Sequence, residues 1–199
     1  MTIQLNLWPM IAVAGVVVCW IAFTASFLVW KKPPSGEDRE RESKSILGIA
    51  LQGISYALVW AIPRKFFTPM FHSVGRTLEI VLALLTIILA AASVWFVAAS
   101  VRALGKQWSL TARLVEGHKL VTEGPYRFVR NPIYTGMLGM LIATGLAWSH
   151  WIVLLIAVIV FMTGTLIRVR SEEKLLREAF GQEFESYARR TPAVIPRPF

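Results

Sequence analysis

Five long apolar runs, Trp8 to Trp30, Ile46 to Ile62, Thr77 to Val101, Pro132 to Trp148 and Trp151 to Ile167, leave this 199-residue chain little to fold into except a bundle of membrane-crossing helices. A helix needs about 20 apolar residues to cross the hydrocarbon core, and fewer when interfacial aromatic or snorkelling side chains anchor its ends. The last two runs are short and are separated only by Ser149 and His150, with Trp148 and Trp151 flanking the joint. That pattern predicts a tight helical hairpin. Composition agrees: 55% of residues are hydrophobic and 17% charged, against about 25% charged in a soluble domain. The first run is too long for the apolar core of a signal peptide and no Lys or Arg precedes it, so it is expected to remain in the mature protein.

The net charge of +9 does not point to nucleic acid, because the basic residues sit in short segments between apolar runs rather than on one soluble face. They read instead as topology signals. Segment 31 to 45 carries five Lys and Arg, 102 to 131 six, and 168 to 199 seven, whereas the first thirty residues carry none and the 63 to 76 loop carries three. Positive charge is retained on the cytoplasmic side during insertion, so five spans with the N-terminus outside and the C-terminus in the cytoplasm are expected. The run Glu37, Asp38, Arg39, Glu40, Arg41, Glu42 reads as a solvated connector. Cys19 is the only cysteine, and His72, His118 and His150 lie far apart with no metal-ligand spacing, so neither an intrachain disulfide nor a metal site is signalled.

The expected fold is therefore all-α, a single membrane domain spanning 1–199. It comprises three N-terminal spans (1–101), a cytoplasmic loop (102–131), the helical hairpin (132–167) and a cytoplasmic helix and tail (168–199). Polar chemistry concentrates in the loop and in the last part. In the loop, the stretch from Gly117 to Gly136 is turn-rich and ends in a helix start, with Asn131 as N-cap and Pro132 at the first helical position. The N–H groups freed there are able to receive an anion, and Arg130 stands beside them. The bland alternative is that Asn131 only caps and Arg130 only meets lipid head groups.

The fifth run continues as Arg168 to Gly181. At 100° per residue Leu175, Leu176, Ala179 and Phe180 form one stripe, Glu172 falls near its centre and Glu173 at its edge. An inward carboxylate needs a partner. Arg168, one turn earlier, is one candidate, and a ligand with hydroxyl or ammonium donors is the other. Both polar segments flank the hairpin and are expected to converge at one pocket on the membrane surface.

The run Gly117 to Gly136, followed by Glu172-Glu173, Leu175-Leu176, Phe180-Gly181, Phe184, Tyr187 and Arg190-Thr191-Pro192, resembles the isoprenylcysteine carboxyl methyltransferases and the related phospholipid N-methyltransferases, over roughly residues 104 to 199. The resemblance implies a prokaryotic-type, inner-membrane enzyme that transfers a methyl group from S-adenosyl-L-methionine to a lipophilic acceptor drawn from the bilayer, most readily a carboxylate. It implies cofactor contacts from His118, Leu120, Val121, Gly124, Tyr126, Asn131, Pro132, Tyr134, Glu172 and Glu173, closed by the C-terminal tail. Arg130 and Tyr134 would carry the catalytic roles, with Arg130 between cofactor and acceptor. Many family members have histidine where this chain has Asn131, and an amide cannot act as a base there.

Methyl transfer is an in-line displacement that asks mainly for alignment and exclusion of water. A carboxylate acceptor is already ionised near pH 7, whereas an amine would need to lose a proton, with His118 the nearby group of suitable pKa. The rings of Tyr126 and Tyr134 could face the sulfonium. Competing readings are a phospholipid or small-molecule N- or S-methyltransferase, an NADPH-dependent sterol-reductase-like enzyme, and a non-enzymatic scaffold in which Gly136, Gly139 and Gly145 merely allow close packing. Acceptor identity and oligomeric state are not written in these residues.

Overall fold

The computed structural model describes residues 7–29, 38–41, 44–64, 75–105, 113–115 and 119–196. The protein is an all-α membrane protein: helices α1 (Leu7–Val29), α2 (Lys44–Ala61), α3 (Arg76–Leu104), α4 (Pro132–Trp148), α5 (Trp151–Phe180) and α6 (Gln182–Arg190). Three of them, α1, α3 and α5, are long and apolar enough to cross a membrane, and α2 and α4 are shorter apolar helices. The 17 residues of α4 reach about 26 Å at 1.5 Å per residue, close to the thickness of the hydrocarbon core. Large apolar side chains such as Val18, Ile21, Ile88, Trp95, Leu155 and Ile159 point outward. So much exposed hydrocarbon suits lipid and not water.

One feature departs from the expected loops. The mixed-charge connector and the loop after α3 meet in a short antiparallel ribbon, β1 (Asp38–Arg41) with β2 (Arg113–Val115), pairing Glu40 with Leu114 and Arg41 with Arg113. Two segments that each lack a helical or strand-like pattern thus satisfy backbone groups mutually.

The hairpin is present, with α4 ending at Trp148 and α5 starting at Trp151, yet its two arms pack chiefly against other helices: α4 lies along α3, and α5 along α2. Helix α4 carries no charged residue and is central. It joins one core of Val16, Phe23, Ala90, Val97 and Met140 to a second of Val59, Leu141, Ala157 and Phe161. In lipid, helices associate by close packing rather than by hydrophobic exclusion, so small residues mark the seams. A Cβ at Gly136 would come 3.0 Å from the Ser93 carbonyl, and one at Gly164 would come 2.8 Å from the Gly48 carbonyl and 2.9 Å from Leu51 Cβ.

At the hairpin turn, Arg64 does more than set topology. Its guanidinium donates to the carbonyls of Leu146 (2.9 Å), Ala147 (2.8 Å) and Ser149 (3.1 Å), and its backbone N–H to Trp148 (3.1 Å). These carbonyls are the ones that a helix C-terminus leaves without partners, and the cation also suits the negative end of the helix dipole. Burial pushes the Arg64 pKa down to about 10, still far above neutral. Replacement by methionine should lower stability by about 2 kcal/mol in a detergent unfolding titration. An unchanged midpoint would show that water or head groups replace the cap.

Candidate functional site

At the other end of the hairpin, the N-terminus of α4, the extension of α5 beyond Ile167, α6 and the tail after Arg190 come together. The tail runs across the start of α4: the N–H groups of Arg130 and Asn131 donate to the carbonyls of Pro192 (2.8 Å) and Ala193 (2.9 Å). The Asn131 amide donates to Ala193 as well (3.1 Å), and the Thr135 hydroxyl to Val194 (2.5 Å). Val194 packs on Tyr134 and Val169. Asn131 thus stands at the N-cap position without capping through its side chain. The tail carbonyls take the N–H groups just ahead of α4, while in its first turn the N–H groups of Tyr134 and Thr135 donate to the Asn131 carbonyl.

The extension stays helical because nothing in Arg168 to Phe180 breaks it, and it stops at Gly181, whose φ of +47° suits glycine. Its two carboxylates have different surroundings. Glu173 is the more deeply buried, its side chain 8% exposed against 26% for Glu172. This reverses the order expected from the apolar stripe, and Ala179 of that stripe is exposed. The physical reason is that Glu173 faces Arg130, which the tail and α6 also hold, so a polar partner buries it.

Glu173 Oε1 accepts from Arg130 Nε (2.9 Å) and Nη2 (2.7 Å), and its Oε2 lies 3.4 Å from Arg177 Nη2. Arg130 Nη1 also donates to the carbonyls of Ala188 (2.9 Å) and Thr191. Its charge is therefore engaged by Glu173 and the chain end, not held open for an anionic acceptor as expected.

Glu172 Oε1 accepts from the Tyr134 hydroxyl and lies 3.4 Å from Arg168 Nη2. Of the expected partners the Arg168 pair exists, and Oε2 makes no hydrogen bond to a described residue. Burial pushes the Glu172 pKa up, and Arg168 and the Tyr134 hydrogen bond partly offset the rise. The Arg168 guanidinium sits 5.0 Å from the Tyr134 ring centroid, so one face of that ring is already covered.

The loop completes the cluster. Gly124, at φ +59°, opens a 3-10 turn (Gly124–Arg127) that buries Tyr126. The Tyr126 carbonyl accepts from the Tyr187 hydroxyl of α6 at 2.6 Å. Burial raises the Tyr126 pKa well above its ordinary value, helped by the negative charge of Glu172, and pushes Tyr187 up to about 12, so both phenols keep their protons at neutral pH. Leu120 and Val121 are half-buried, and Pro132 is buried at the first turn of α4. His118 lies outside the described residues. Among the described residues no group of three or more His, Cys, Asp and Glu is placed to hold a metal ion.

Three features escaped the sequence: Arg168 as a member of the cluster rather than a simple helical partner, Tyr187 as a clamp on the loop, and Gln52 as a partner of Arg168. Only Gln52 left a local signal, as the single amide in its apolar run.

Glu172 Oε2, without a hydrogen bond to a described residue, thus offers an acceptor for hydroxyl or ammonium groups close to the buried Tyr126 and Tyr134. The chain is 34% identical over 84 residues to protein-S-isoprenylcysteine O-methyltransferase B of Arabidopsis thaliana, covering 42% of this chain and 43% of that one. It is 35% identical over 101 residues to the cobalt-zinc-cadmium resistance protein CzcN of Cupriavidus metallidurans, covering 49% and 45%. It is 32% identical over 79 residues to the protein-S-isoprenylcysteine O-methyltransferase of Schizosaccharomyces pombe, covering 40% and 34%. The chain thus spans less than half the length of these relatives. The profile of the phospholipid methyltransferase family matches residues 80–183, from within α3 to the first residues of α6 and more than half of the chain, and the protein belongs to that family.

Proposed function

We propose that this membrane protein is a methyltransferase that uses S-adenosyl-L-methionine and acts on an amphiphilic acceptor reaching the site from the cytoplasmic leaflet. The observation that carries the reading is Glu172, bound to Tyr134 and Arg168 through one oxygen and without a hydrogen bond to a described residue at the other, inside the segment shared with the family. The bound donor would supply a methyl group on a positively charged sulfur. Glu172 Oε2 would accept from its ribose or amino group, with the buried side chains of Tyr126 and Tyr134 as the neighbouring wall. Leu120, Val121, Gly124, Pro132 and His118 would complete the pocket wall. Arg130 and Glu173 would act at one remove, pinning the tail so that water is excluded from the displacement.

The names of the isoprenylcysteine methyltransferase relatives favour a carboxylate acceptor, which needs no base. The family's description favours a phospholipid amine, which would call on His118. Calorimetric titration with S-adenosylhomocysteine and separately with NADPH tests the donor: binding of the first alone is expected, and binding of NADPH alone would favour a reductase. Methyl transfer from labelled donor into prenylcysteine or into phosphatidylethanolamine then separates the acceptors.

The same reading puts both polar segments in the cytoplasm of a prokaryotic cell, with the N-terminus outside. Single cysteines at Ser35 and Arg197, in a chain with Cys19 replaced, should resist impermeant maleimide in intact cells and react after lysis. Labelling of either from outside would overturn the orientation.

A further inference from the structure

Gln52 lies in the middle of α2, outside the segment shared with the family, and is 3% exposed. An amide among hydrocarbon is costly unless both of its ends are bonded. Here both are. Nε2 donates to Thr165 Oγ1 at 2.9 Å, and Oε1 accepts from Arg168 Nη1 at 3.1 Å. The approach is made possible by the Gly48 and Gly164 seam, where a Cβ on Gly164 would lie 3.2 Å from the Gln52 backbone nitrogen. From Arg168 the contacts continue through Nη2 to Glu172 Oε1, which also holds the Tyr134 hydroxyl. One polar chain therefore runs from α2 through α5 to α4.

We infer that Gln52 is a positioning residue for the family site: by tethering one arm of Arg168 it holds the other arm against Glu172, and so sets where that carboxylate points. The consequence for donor binding rests on the proposed function; the consequence for Glu172 itself does not. A guanidinium on a flexible stem has several rotamers, and a fixed acceptor on the opposite helix selects one of them. Among the described residues the titratable groups acting on Glu172 are Arg168 and Glu173 from α5, Tyr134 from α4 and Tyr126 from the loop, while α2 contributes the neutral tether. Arg168 is the largest influence holding the Glu172 carboxyl down against burial, so loosening it should let the carboxyl titrate at higher pH.

The experiment compares the full chain in nanodiscs with Gln52→Leu and Gln52→Met, two apolar replacements of different shape, so that agreement isolates the amide from packing. An infrared pH titration follows the Glu172 carboxyl band, assigned by its loss in Glu172→Gln. Both variants should move the Glu172 midpoint upward by about half a pH unit or more, and should weaken S-adenosylhomocysteine binding by about tenfold near neutral pH. A midpoint that stays put or falls, even with a lowered Tm, would overturn the inference and leave Gln52 as a packing residue. If the unaltered protein fails to bind S-adenosylhomocysteine, the proposed donor falls, and the carboxyl midpoint still decides what Gln52 does. Either variant is sufficient if the other does not fold.

Discussion

Glu172→Gln should weaken S-adenosylhomocysteine binding about 10- to 100-fold while leaving the empty protein as stable as before, or more so, at pH 8. The first half follows from losing a charge-assisted acceptor, about 1.5–3 kcal/mol. The second half follows from the direction of its pKa. A carboxyl whose folded pKa is raised above the unfolded value favours folding at low pH, and that contribution is lost as pH rises through the folded pKa. Glutamine mimics the protonated form and does not lose it. Binding in the unaltered protein should run the other way, weakening as pH falls through the raised Glu172 pKa, and this acid limb should be absent in the variant. Calorimetry across pH and thermal unfolding on one preparation test both halves. Equal affinity with a lower Tm would show that Glu172 serves only the Arg168 pair.

A second large effect is expected at the tail clamp. Arg130→Met leaves Glu173 buried with Arg177 as its remaining cation, and removal of one partner from a buried pair typically costs about 3–5 kcal/mol. The carbonyls of Ala188 and Thr191 lose their donor in the same step, so protease should cut more readily after Arg190. Arg130→Met with Glu173→Leu should recover most of the stability and little of the turnover, because the double variant removes the orphaned charge without restoring the hold on the tail. Arg130→Lys, with one ammonium for acceptors that the guanidinium reaches in a fixed fork, should fall between the two. If Arg130→Met unfolds at the same temperature as the unaltered chain and keeps its tail protected, the clamp is not what this arginine provides.

The helices were legible because lipid demands them: a backbone in hydrocarbon must satisfy its own hydrogen bonds, so each apolar run could only be a helix. The hairpin ends were legible because Pro132, Trp148 and Trp151 are local signals: α4 begins and ends on the first two, and α5 begins on the third. The order of the two polar segments around that hairpin was also enough to bring Tyr134 and Glu172 together.

Partnership between helices was not legible. The contact of α5 with α2 depends on Gly48 meeting Gly164 across more than a hundred residues, and a helical period carries no information about which other helix will face it. The reversed burial of Glu172 and Glu173 has the same origin. A helical wheel assumes that the apolar stripe is the buried face, whereas here Arg130 and the tail build a polar interior around Glu173. Asn131 reads as a cap from its neighbours, but its amide found Ala193, brought back by a turn at the far end of α6. Local chemistry wrote the elements and their ends into the chain. Only the tertiary structure decided which charges would be neutralised and which oxygen of Glu172 would take the Tyr134 hydroxyl, because those outcomes depend on partners distant in sequence.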